Sequence, residues 1–157
     1  MSQYTRWGAA AIALVTMMSI GAAVGIAQDK DAIVKERQAT MRQEGPSLKA
    51  ILDYAGDKGT DQATALAKAQ ELLGVADKLP TLFVAGTSSK DMPGKSNAKP
   101  EVWQELDKFK ALYAGQKSGE QKLLDAIRKG DKAAVQATVN EIGKNCSSCH
   151  GTYREKV

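Results

Sequence analysis

Cys146-Ser147-Ser148-Cys149-His150 puts two thiols and an imidazole within one five-residue run. Written Cys-x-x-Cys-His, this is the haem-attachment pattern. The spacing answers a geometric need: a haem has two vinyl groups, each taking one thioether bond, and an iron that needs an axial base beside them. On a helix Cys146 and Cys149 lie one turn apart on one face, and His150 is four residues from Cys146. Other chemistries fit poorly. A structural zinc site takes four Cys or His ligands, and the chain has 2 Cys and 1 His, all in this run. A thioredoxin-like pair follows a strand at the start of a helix, whereas this one ends a helical pattern. A disulfide between residues three apart would close a tiny loop and stabilise little.

Four amphipathic helices must position that run. In the last one Val135, Val139, Ile142, Cys146, Cys149 or His150, and Tyr153 follow alternating steps of four and three, so the motif lies on the buried face. The first helix runs from Asp29 to about Ala55 through Ile33, Val34, Met41, Leu48, Ile51 and Leu52, and Gly45-Pro46 inside it predicts a kink or a split. The second spans about Asp61 to Lys78, capped by Thr60 or Asp61, with Leu66, Ala69, Leu73, Ala76 and Leu79 on one face. Pro80 to Pro100 is a Gly- and Ser-rich loop, long for a compact domain, of the kind that is functional or wraps something; Leu79, Leu82, Phe83 and Val84 at its start are expected to tuck under the core. The third helix starts at Pro100 and reaches about Arg128 through Val102, Leu106, Phe109, Tyr113, Leu123 and Ile127. Gln116 and Glu120 fill two slots of its seam, which softens around Gly115 to Gly119. Gly130 closes it and Asp131 caps the last helix. With no convincing strand, the expected fold is all-α: an antiparallel four-helix bundle with a covalently bound haem in the core near the C-terminus.

A chain of 157 residues is long enough for one domain. Residues 1–27 read as a secretory signal peptide: Arg6 supplies the positive start, Gly8 to Ala27 is uncharged and mostly apolar, and Gly25-Ile26-Ala27 offers small residues for cleavage. The domain is then 28–157, and the address is the periplasm, which agrees with haem being joined to thiols outside the bacterial cytoplasm. The run of about twenty apolar residues would instead anchor the chain in a membrane if it were not cleaved. The formal net charge is +4, and Arg6 is the only charge that the leader removes. Basic and acidic residues alternate without a basic block, so nucleic-acid binding has no support.

Cys146 to Arg154, with the haem motif followed by an aromatic and an arginine, resembles the class II c-type cytochromes, meaning cytochrome c' and its six-coordinate low-spin relatives. Also similar are Arg37-Gln38-Ala39-Thr40-Met41-Arg42, Leu79-Pro80-Thr81-Leu82-Phe83 and Lys99-Pro100-Glu101-Val102-Trp103, so that the resemblance covers the whole mature chain. It implies one haem c held by Cys146 and Cys149, His150 as proximal iron ligand, and the first helix as the distal wall. It further implies that Arg37 lies near a haem propionate, that Met41 points at the iron, and that Arg154 lies beside the proximal histidine. Tyr153, Trp103 and Tyr113 are read as packing.

The sixth ligand is bounded by composition. His150 is the only histidine, so two imidazoles from one chain cannot share the iron, and outside the leader only Met41 and Met92 offer a thioether. Met92 sits in the long loop, whereas Met41 is one turn after Arg37 on the face expected to meet the last helix. Two functions follow. With Met41 bound, the protein is an electron carrier that exchanges electrons with periplasmic redox proteins. With Met41 as packing only, a five-coordinate iron binds nitric oxide or carbon monoxide. A peroxidase-like enzyme is disfavoured because no second histidine serves as distal acid-base. A homodimer through the first two helices is the expectation that the resemblance adds.

Overall fold

A computed structural model describes residues 29–156. The signal-peptide reading of residues 1–27 lies outside the described residues. Among the described residues five α-helices are present: α1 Lys30–Ala55, α2 Gln62–Lys78, α3 Glu101–Gln104, α4 Leu106–Lys129 and α5 Lys132–Tyr153. α1 packs on α2 and α5, and α4 packs on the same two, which makes a four-helix bundle with α3 as a short lead-in to α4.

Local chemistry sets the ends. Asp29, Asp61 and Asp131 each accept a bond from the backbone N–H three residues on, capping α1, α2 and α5; each such cap contributes about 1 kcal/mol. Gly130 takes φ 70°, the left-handed conformation that ends α4 and that a side chain resists.

Three expectations are corrected. α1 is one helix through Pro46 and is not split into two; Pro46 faces solvent and therefore costs the lost backbone bond without a buried clash. The third bundle helix runs unbroken through Gly115 to Gly119 as one long helix, but it does not run from Pro100: it is interrupted at Glu105, at φ −117° and ψ 41°. Gly119 is a packing glycine: a Cβ there would sit 3.3 Å from Ile142 Cγ1, so its lack of a side chain lets α5 come close. On α2 the expected Ala69, Ala76 and Leu79 are buried, but Leu66 and Leu73 are only partly covered, and Ala65, Leu72 and Val75 are buried instead.

Two apolar clusters stack along the bundle. One joins Ile51, Leu72, Leu123, Ile127, Val135 and Ile142, and the other joins Leu79, Val102, Phe109, Tyr113 and Tyr153. Cys146 borders the first and Cys149 the second, so the haem motif sits at the seam between them.

Candidate haem-binding site

The last turns of α5 carry Cys146, Cys149 and His150, all half-buried, with neither sulfur in a disulfide. Burial pushes both thiols up to about 11, the nearby acids adding to it at Cys146, so each is a neutral S–H. Neutral, uncrosslinked thiols one turn apart suit addition across two vinyl groups. Burial, helped by the Arg154 guanidinium, lowers His150 from its usual value, which favours the neutral imidazole that a metal needs.

Beside this turn is a cavity of about 370 Å³ whose walls include Cys149, His150, Tyr153 and Arg154 from the C-terminal side and Arg37, Gln38, Met41 and Arg42 from α1. Phe83, Asn97, Ala98 and Phe109 complete it. The structure therefore brings Met41 to the cavity that His150 lines, while Met92 stays in the loop and does not reach it. Cys149, His150 and the aromatic faces of the lining fit a porphyrin, with one thiol for a vinyl and an imidazole for the iron, while Cys146, one turn earlier on α5, does not line the cavity.

The long loop wraps this cavity, and Arg37 holds it. Arg37 is 4% exposed. Its Nη1 donates to Leu82 O at 3.2 Å and Thr87 Oγ1 at 3.0 Å, and its Nη2 to Thr87 O at 3.0 Å and Ser96 Oγ at 2.9 Å. Its charge also lies 4.7 Å from the centre of the Phe83 ring. Both terminal nitrogens are thus committed to the loop, so a propionate would have Nε–H alone to meet. Arg37 is neither a solvated charge nor, on this geometry, a free anion clamp.

The loop is tied to the C-terminus as well. Ala98 bridges to Arg154, Lys99 N–H donates to Tyr153 O at 2.9 Å, and Glu155 N–H donates to Asn97 O at 2.9 Å. Tyr153 packs edge-on to Phe109 at 5.4 Å and donates its hydroxyl to Glu105 at 3.0 Å, a packing residue as expected. The Trp103 indole donates to Phe83 O at 3.2 Å and steadies the same ring. Arg154 is exposed at the cavity rim, with no ion-pair partner among the described residues.

Sequence reasoning missed Thr87 and Ser96, for which no local pattern exists, and it also missed a buried polar group. Gln116 Nε2 donates to Glu44 at 2.7 Å and to Glu120 at 3.0 Å, and Glu120 is fully buried. The signal for that group was present, since Gln116 and Glu120 occupy seam slots that a bundle normally fills with apolar side chains.

Comparison with known proteins gives one family. The cytochrome C' family model matches residues 32–154. A cytochrome c' of Rubrivivax gelatinosus is 35% identical over 124 residues, 78% of this chain and 94% of its own length. A cytochrome c-556 of Agrobacterium fabrum is 31% identical over 124 residues, 78% of this chain and 81% of its own. Among solved structures, a cytochrome c' with ligand-controlled dimer dissociation superposes with a TM-score of 0.73 over 81% of this chain and 97% of that one, at 23% identity, a likeness of fold.

Proposed function

Because the chain belongs to the cytochrome c' family and so carries one covalent haem c, we propose that it is a periplasmic haem protein that takes nitric oxide or carbon monoxide on the distal side of the iron. When bound, the haem would supply an iron and a one-electron couple; the chain's own residues would decide what reaches it. The observation that carries the reading is the commitment of Arg37 to the loop. With both its terminal nitrogens bound there, Arg37 offers little to a ligand, and the apolar part of the wall is Met41, Phe83 and Phe109, beside Gln38 and Arg42, a surface on which a small neutral gas finds room. Met41 is half-buried and packs against the aromatic cluster, as a core methionine does. Several of the similar proteins are themselves named cytochrome c'.

The second reading, electron transfer with His150 and Met41 as axial ligands, rests on Met41 lining the same cavity as His150 from the facing helix. A thioether ligand would favour ferrous iron and close the site, with periplasmic redox proteins as partners. Either way the role is binding or electron transfer and not turnover, because the single histidine is spent on the iron. The leader reading belongs to this proposal; among the described residues no helix is long and apolar enough to cross a membrane. So does a homodimer through α1 and α2, where Leu48, Leu52, Leu66 and Leu73 are only partly covered.

The test is the absorption spectrum of the matured protein, ferric and ferrous, with and without carbon monoxide. A high-spin spectrum that shifts with carbon monoxide, and that Met41→Ala leaves high-spin, supports gas binding. A low-spin spectrum, unmoved by carbon monoxide and turned high-spin by Met41→Ala, overturns it in favour of the electron carrier.

A further inference from the structure

Neither reading uses the carboxylates inside the bundle. Glu120 on α4 is 0% exposed, its Oε1 accepts from Gln116 Nε2 at 3.0 Å, and its Oε2 has no partner among the described residues. The same Gln116 nitrogen donates to Glu44 Oε1 of α1 at 2.7 Å. One neutral amide thus holds two acids together. Its two N–H groups are both used, so it has no further donor for the open oxygen.

The groups facing this pair do not neutralise it. From α2 comes Asp77, another acid, already paired with Lys117 of α4 at 2.5 Å. From α5 comes Cys146, which no longer titrates once it is a thioether, and Tyr113 of α4 faces Glu44 with a phenol that burial holds in its neutral form. Two ionised carboxylates sharing one amide in a low-dielectric interior repel each other and lack solvation, and the interior resolves this by keeping one proton.

The register of α4 against α5 sets that proton one turn before the haem motif. Asn145 donates to Leu112 O at 3.4 Å, and Gly119 abuts Ile142. Glu120, next to Gly119, therefore lies level with Ile142, one turn before Cys146, which would carry one thioether, and its charge is felt at that thiol. Glu44, half-buried, gives the pair its contact with solvent.

We propose that Glu120 is a redox-linked proton site: it binds a proton from solvent when the haem is reduced and returns it on oxidation. The balance is one electron from a one-electron donor protein onto ferric haem and one proton from water onto Glu120 Oε2, so that the added negative charge is offset within the bundle. The proton removes the charge that burial penalises, and the shared amide then holds one neutral and one ionised acid together. Burial, with Glu44 and Asp77 adding to it, pushes the Glu120 carboxyl up to about 7, where solution pH can read it. The proposal rests on covalent haem c and is independent of which distal reading holds.

The experiment is potentiometric titration of the haem-loaded protein from mildly acidic to mildly alkaline pH, with covalent haem verified by mass beforehand. Wild type is expected to lose potential as pH rises through neutrality. The drop should reflect at least a threefold difference in proton affinity between the two redox states, about 28 mV for a one-electron couple. Glu120→Gln should flatten that window. Glu44→Gln, which keeps Glu120 but removes its acidic neighbour, should move the window to lower pH, and it serves if Glu120→Gln fails to take up haem. Reduced-minus-oxidised infrared spectra of wild type should show a protonated carboxyl gained on reduction. A flat wild-type profile, a slope that persists unchanged in Glu120→Gln, a window that Glu44→Gln leaves in place, or no carboxyl signal each overturns the proposal.

Discussion

Arg37 shows how one residue type can be legible while its work is not. A cation one turn before Met41, on a helix facing the motif, was readable as a haem-side charge. What it does depends on Thr87 and Ser96, 50 and 59 residues away, and on the Phe83 ring. Spacing within one helix carries no information on such partners. A buried guanidinium without a carboxylate is tolerable only when carbonyls, hydroxyls and a ring face replace water. Arg37→Ala would therefore remove four hydrogen bonds and strand buried polar groups on the loop, at a cost of about 3 kcal/mol. Arg37→Lys keeps the charge but not the planar fork, and should fall between the two. Urea unfolding of the haem-loaded protein followed by circular dichroism reads this directly; a loss well under about 1 kcal/mol for Arg37→Ala would mean that the loop is held by its C-terminal ties instead.

At the scale of elements, periodicity carried far. The apolar stripes located all four bundle helices, and the cap residues Asp61, Asp131 and Gly130 stand where their chemistry put them. Cys146, Cys149 and His150 stand out in the sequence because their chemistry is a short-range pattern on one helix. Misreadings came where the reason for a residue lies on another element. Gly115 and Gly119 looked alike in sequence, as a soft stretch; in the bundle Gly115 has open space around it, and Gly119 meets Ile142. The two should respond differently to a methyl group. Gly115→Ala removes the glycine penalty at no steric cost and should stabilise by about 0.5–1 kcal/mol. At Gly119 the same gain is offset because Ile142, itself fully packed, must give way, so Gly119→Ala should be neutral or destabilising. Thermal melts of the two variants in parallel check this, and equal stabilisation would show that α5 has slack at Ile142. The break at Glu105 was likewise unreadable, because Glu105 serves Tyr153 from across the molecule.

For the whole molecule, the buried acids set how stability depends on pH. Asp61, Glu71, Asp91 and Glu105 are held below their usual values by hydrogen bonds, Lys68 and Lys108 being the donors to Glu71 and Glu105; they add stability that is lost only as pH falls through the carboxylate range. Glu120 acts in the opposite direction. Its ordinary value of 4.5 rises to about 7 in the fold, chiefly through burial, and Glu44 is raised for the same reason. A raised folded value means that the native protein keeps a proton that the unfolded chain has released between those two pH values. The stabilisation from the neutral acid is therefore complete below about pH 4.5, shrinks as pH climbs, and is gone above about pH 7, a swing of about 3 kcal/mol for a fully buried group. The melting temperature of the haem-loaded protein, held in one redox state, should accordingly be highest in mild acid and fall towards neutrality. Glu120→Gln, which keeps the shape and hydrogen-bonding capacity without the charge, should hold its melting temperature nearly level across that interval and exceed wild type above about pH 7. A wild-type melting curve that rises from mild acid to neutrality would show that the exposed carboxylates outweigh the buried pair and that Glu120 ionises inside the bundle without cost.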